Sequence, residues 1–145
     1  MPYQIKLPIK ETSILLINDM QREQLLLARR RKGIFRLRVE NTEHHCRLTD
    51  VSIKEYLIAS HIKPWRNCTS EEMLDGNNGL LMCPHIGFLF DRGFIGFTDD
   101  GELLVSKQLD PEILGAWNIH KRNVGSFNSK QIQYILFHLE FVFKG

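Results

Sequence analysis

The chain has 145 residues, 43% of them hydrophobic and 10% aromatic, and a formal net charge of +2. That is enough apolar material for one packed domain, and it excludes several classes. No apolar run approaches the roughly 18 residues of a membrane span, three unevenly spaced cysteines do not make a disulfide framework, and no repeat or low-complexity tract is present. The opening MPYQIKLPIKE mixes charge and proline where a signal peptide needs an apolar stretch, so a cytoplasmic protein is expected. We read 1–145 as a single domain, with a lead-in over 1–43, a core over 44–93 and a hairpin with a last helix over 94–145.

In chain order, SILLIN at 13–18 is a short apolar run that fits a strand or a helix start equally well. Asp19 then precedes MQREQLLLARRRK, a run of strong helix formers with an acid in front and cations behind, which predicts a helix ending near Gly33. Arg29, Arg30, Arg31, Lys32, Arg36 and Arg38 fall within ten residues that contain no acid. Such a cluster suits a phosphate backbone better than the small net charge suggests. CRLT and EYLIASHI predict a hairpin. FIGF and ELLVS, flanking TDDG, predict a second one, because Asp-Gly between apolar runs is a turn signal. Asp110 and Pro111 open a short helix to about Leu114. From Ser129, Ile132, Ile135, Leu136, Leu139 and Val142 recur at helical spacing, which predicts a last helix with His138 as packing or surface.

The stretch Leu57 to Gly93 carries the chemistry. In LIASHI, Leu57, Ala59 and His61 alternate with Ile58, Ser60 and Ile62, so His61 ends a strand at a rim. An imidazole there is mostly neutral at physiological pH and serves as a base without large tuning. Pro64 ends regular pairing, which puts Lys63, Trp65 and Arg66 in a loop. Asn77, Asn78 and Gly79 form a turn before LLMC, where an asparagine can brace a loop. Pro84 opens a short helix stopped by Gly93, with Leu89 and Phe90 facing the core and Gly87 and Asp91 four residues apart on one face. Asp91 there either holds a divalent cation, pairs with Arg92 or is a solvated helix end. Cleaving a phosphodiester needs a base to activate water and a cation to take up charge, and this spacing supplies both.

These residues resemble the HNH endonucleases built on the ββα-metal finger. The likeness is carried by CRLTD at 46–50, LIASHIKPW at 57–65, NGLLM at 78–82 and PHIGFLFDRGFIGFTDDGEL at 84–103. RKGIFR at 31–36 and ILFHLEFVF at 135–143 resemble the family's basic lead-in and last helix. The resemblance implies an α+β fold: a ββα-metal core with an additional β-hairpin and flanking N- and C-terminal helices. It implies a DNA endonuclease that hydrolyses phosphodiester bonds with magnesium or manganese, leaving a 3′ hydroxyl and a 5′ phosphate, acting as a lone nicking domain or as a dimer. Carried over by position, His61 would be the general base, Asn78 the residue that orients the loop and that histidine, and Asp91 a metal ligand. Arg29, Arg30, Arg31, Lys32, Arg36, Lys63, Arg66 and Arg92 would meet the nucleic acid, and the acids Glu71, Glu72, Asp75, Asp99, Asp100 and Glu102 would face away from it.

Two positions depart from the family. The residue before the base, often a metal ligand, is Ser60, and the position four residues before Asp91, usually histidine or aspartate, is Gly87. His85 is the natural substitute ligand, although it stands six residues from Asp91 and would share an ion only if the helix start were distorted. The alternative reading is a nucleic-acid-binding module that has lost its metal at Gly87, in which a restored carboxylate or imidazole would create cleavage. Relatives often hold a structural zinc with two Cys-x-x-Cys pairs. Here Cys46 and Cys83 are followed at the second positions by Thr49 and Ile86, so no structural zinc is expected. The two thiols read as small buried apolar groups on neighbouring strands, and Cys68 as an exposed free thiol.

Overall fold

A computed structural model describes residues 18–145; SILLIN, apart from Asn18, lies outside the described residues. The chain divides into two compact units, Met1–Gly33 and Ile34–Gly145. In the first, a capping box opens helix α1 (Asp19–Glu40): Asn18 Oδ1 accepts the Gln21 backbone N–H at 2.8 Å, and Gln21 Oε1 accepts the Asn18 N–H at 3.1 Å. Every residue from Asn18 to Gly33 is exposed. The helix does not stop near Gly33 as the sequence predicts but continues to Glu40, where Phe35 and Val39 are buried. Burial of two apolar side chains one turn apart outweighs about 1 kcal/mol of glycine penalty.

In the second unit, β1 (Ile58–His61) pairs antiparallel with β2 (Gly79–Met82), bringing His61 opposite Gly79. Between them lie the short helix α2 (Ser70–Leu74) and a 3₁₀ turn, Gly76–Asn78. Helix α3 (Pro84–Asp91) follows β2 at once, its N-terminal Pro84 in the position that lacks a helical N–H partner in any case. Its end is a Schellman motif: Phe94 N–H donates to Leu89 O at 2.9 Å and Gly93 N–H to Phe90 O at 3.0 Å, with Gly93 at φ +76°. A side chain at Gly93 would also run into the Val142 carbonyl. The hairpin β3 (Ile95–Phe97) with β4 (Leu103–Val105) turns through Gly101 at φ +86°, as Asp-Gly predicts. Helices α4 (Pro111–Ala116) and α5 (Ser129–Phe141) complete an α+β architecture of two small hairpins and five described α-helices.

Two local expectations change. CRLT is a turn rather than a strand, closed by Asp50 N–H to Cys46 O at 2.8 Å with Asp50 at φ +63°. Cys46 and Cys83 are buried, but in that turn and at the start of α3, where Thr49 Oγ1 lies 3.2 Å from Cys83 Sγ. Helix α5 presents Gln131, Tyr134, Ile135 and His138 to the core, while Leu136 is 49% exposed. Polar side chains displace the apolar stripe because each finds a partner. Gln131 Nε2 donates to Glu43 Oε2 at 3.1 Å, Tyr134 OH to Asp75 Oδ2 at 2.7 Å, and His138 Nε2–H to Phe90 O at 2.8 Å.

Candidate functional site: a strand histidine beside a finger helix

His61 sits at the end of β1 with its imidazole held from two directions. Nε2 lies 2.9 Å from the Met73 carbonyl, so that nitrogen carries the hydrogen and Nδ1 is left with its lone pair. One face of the ring is covered by Phe35, with 3.7 Å between centroids and 6° between planes. Burial lowers the pKa below the ordinary histidine value, while the Met73 bond pulls it the other way. The product is a neutral imidazole with a defined tautomer and a basic nitrogen free to accept a proton.

Asn78 is fully buried and knits the loop that carries Met73. Its Oδ1 accepts the Lys63 N–H at 2.8 Å, its Nδ2 donates to Glu72 O at 3.1 Å and to Cys68 Sγ at 3.3 Å, and its own carbonyl accepts the Ile62 N–H at 3.0 Å. Asn78 thus acts on His61 through the backbone of 62–73 rather than by touching it. Asn78→Ala strips the Lys63 N–H of its acceptor inside the protein, and urea unfolding should register a loss of about 2–3 kcal/mol.

Glu72 does not face away from this region. Both its oxygens lie 3.0 Å from Lys63 Nζ, and it closes a capping box with Thr69 at the start of α2; the Thr69 backbone N–H and the Lys63 ammonium keep its carboxyl below the usual range. Lys63 is therefore tied into the loop. So is Cys68, which is half-buried among the Lys63 and Pro64 carbonyls and Asn78 rather than exposed. Arg36 is similarly engaged, donating to Leu57 O at 2.7 Å and Lys54 O at 2.6 Å. Arg66 and Arg92 remain exposed near the ends of this segment, and Arg29, Arg30, Arg31 and Lys32 are exposed on α1 in the first unit.

Asp91 ends α3. The residue is exposed overall, yet partial burial of its carboxyl pushes the pKa up to about 6. No hydrogen bond or ion pair among the described residues holds that carboxyl, and the Arg92 guanidinium lies over the Phe88 ring, 4.6 Å from its centroid, instead. His85 is not brought to it. The first turn of α3 is regular, with Gly87 N–H donating to Cys83 O at 2.9 Å, and the His85 ring packs edge-on to Trp117 at 5.6 Å. Six residues of helix separate His85 and Asp91 by about 9 Å of rise. Among the described residues no group of three His, Cys, Asp or Glu side chains is placed to hold a metal.

Gly87 explains that shortage structurally. A Cβ there would lie 2.8 Å from Ile58 Cδ1 and 3.3 Å from Ser60 Oγ, so the two family departures, Ser60 and Gly87, face one another across the strand–helix contact. The glycine lets α3 approach β1 closely, and Ile58 fills the space a ligand side chain would need. One carboxylate fits a hard divalent cation that keeps most of its waters, and does not fit a three-ligand zinc-type site.

An antiparallel hairpin whose first strand ends in a histidine, a buried asparagine at the head of the second strand, and a following short helix ending in an acid define a ββα finger of the nuclease kind. Residues 46–98 match the family model described as HNH endonuclease, so the finger of this chain is similar to that family. No curated protein matches the chain. Among the described residues no helix is long and apolar enough to cross a membrane.

Proposed function

We propose that the chain is a metal-dependent DNA endonuclease in which His61 is the general base. The observation that carries this reading is the imidazole itself: neutral, its Nε2–H committed to Met73 O, its Nδ1 unencumbered. In the proposed reaction Nδ1 accepts a proton from water as its oxygen attacks the phosphorus. The 3′ oxygen then leaves, giving a 3′ hydroxyl and a 5′ phosphate. Asp91 would hold a magnesium or manganese ion, which when bound supplies positive charge against the phosphate oxygens. Arg66 and Arg92 contact phosphates near the cut, and Arg29, Arg30, Arg31 and Lys32 are further basic contacts for the nucleic acid. Lys63 and Arg36, tied internally, contribute by holding the base's loop and strand.

The test is supercoiled plasmid with magnesium or manganese, with EDTA and with Asp91→Asn. Nicking that needs the metal and is lost in the variant is the expected result; nicking insensitive to both would overturn the assignment of Asp91.

The contact at Gly87 favours a second reading, a binding module that does not cut. The two separate in one experiment. Gly87→Asp alone forces Ile58 aside and should lower the melting temperature, whereas Gly87→Asp with Ile58→Ala makes room for the carboxylate. Under the endonuclease reading the parent already nicks and the double variant binds manganese more tightly. Under the binding reading only the double variant nicks.

A further inference from the structure

We propose that Phe35 is a positioning residue for His61: its ring, laid flat on the imidazole, restrains the base against tilting and keeps water off one face. The inference rests on the reading of His61 as the general base.

The contact is built from both sides. Phe35 is 3% exposed and its ring is nearly parallel to the imidazole, 3.7 Å away between centroids. On the helix side, the adjacent Arg36 fastens this part of α1 over the entry to β1 through the Leu57 and Lys54 carbonyls. On the sheet side, Gly79 is the register partner of His61, and a Cβ there would lie 2.6 Å from Phe35 Cζ and run into Val39 Cγ2. Glycine at 79 is thus what allows the phenyl ring to lie over the histidine.

The two restraints on the imidazole are complementary. The Met73 carbonyl acts in the plane of the ring and selects the tautomer, leaving tilt about that bond free. Phe35 acts perpendicular to the plane and removes the tilt. Together they aim the Nδ1 lone pair, and displacement of a reacting group by about 1 Å is enough to cost a large factor in rate. Of the charged groups on the elements packed against His61, Lys63 is held by Glu72, Arg36 by the Leu57 and Lys54 carbonyls and Glu40, and Arg38 by the Leu74 carbonyl, while Glu71 is exposed. An apolar ring, rather than a charge, is what stands over the base.

The experiment is an NMR titration of the His61 imidazole in the parent protein, in Phe35→Leu and in Gly79→Ala, with nicking kinetics alongside. Leucine keeps apolar volume without a flat face. The alanine methyl displaces the phenyl ring from the opposite strand. In Phe35→Leu the His61 pKa should rise toward the ordinary histidine value, because the charged form regains water, and kcat should fall about tenfold with KM unchanged. Gly79→Ala should move the titration the same way. Thermal melts establish that each variant is folded, and Phe35→Leu decides the case if Gly79→Ala is not. A folded Phe35→Leu protein whose His61 titrates as in the parent overturns the proposal. If the titration shifts but the parent does not nick under any metal, the stack stands as a determinant of the imidazole and the general-base reading fails instead.

Discussion

His61→Ala is expected to lower metal-dependent nicking of supercoiled plasmid by about 10²–10⁴-fold, the usual range for loss of a positioned general base. DNA binding should persist, because the exposed arginines and Lys32 are untouched and the contacts they make are electrostatic. The pH dependence supplies the sign. His61 must be unprotonated to act, and burial holds its pKa below 6.5; Asp91 must be ionised to hold a cation, and its carboxyl titrates at about 6 in the free protein. The rate should therefore rise with pH on the acid side and level off above about pH 7. Bound metal favours the ionised carboxylate, so raising the magnesium concentration should draw the part of the acid limb due to Asp91 to lower pH and leave the part due to His61 in place. A His61→Ala protein that nicks like the parent would place the base elsewhere.

The second large effect concerns stability. His138 on α5 is 2% exposed, stacks on Phe90 with 3.7 Å between centroids, and donates Nε2–H to the Phe90 carbonyl. Its Nδ1 is buried without a partner, so protonation would place an unpaired charge in the core, and burial lowers the pKa to about 4. Because the unfolded chain takes up this proton near pH 6.5 and the folded one only near 4, the unfolded state binds more protons in between. Stability is then lost as pH falls from about 6.5 to 4, with His138 contributing about 2 kcal/mol of that loss between pH 7 and pH 5. Asp91 works in the opposite direction: its raised pKa means that the folded state takes up a proton first as pH falls through about 6, which offsets part of the loss. Urea unfolding at pH 7 and pH 5 separates the two. His138→Phe should flatten the dependence, and Asp91→Asn should steepen it. Equal pH dependence in the parent and His138→Phe would show that the histidine protonates freely in the folded state.

Much of the site was legible because its parts are local. The alternation in LIASHI, the Asn-Gly before LLMC and the Pro…Gly bounds of HIGFLFDR set a strand end, a turn and a short helix from neighbouring residues alone, and β1, β2 and α3 form there. The charge partners were not legible. Lys63 and Arg36 read as free cations because the partners that tie them down are mostly distant in sequence: Glu72 stands nine residues from one and the Leu57 carbonyl twenty-one from the other, with only Glu40 within a helical turn of Arg36. Glu72 read as a loop acid for the same reason. Helix α1 overran Gly33 because the burial of Phe35 and Val39, invisible to propensity, outweighs the glycine. On α5 the buried face moved to Gln131, Tyr134 and His138 because each finds a hydrogen-bond partner on a distant element, His138 through Nε2 alone.

What the sequence determined by itself is therefore the chemistry on offer and the local elements that carry it: a strand histidine, a turn asparagine and a helix acid, in an order and spacing that belong to one nuclease family. Tertiary structure alone decided the state of each group. The tautomer of His61 depends on a carbonyl twelve residues away, its covered face on a phenylalanine from helix α1, and the room for a side chain at Gly87 on Ile58 and Ser60 meeting it across a strand–helix contact. Spacing along the chain specifies periodicity, whereas desolvation and hydrogen bonding depend on which atoms meet in space, and the packing of the whole core sets that.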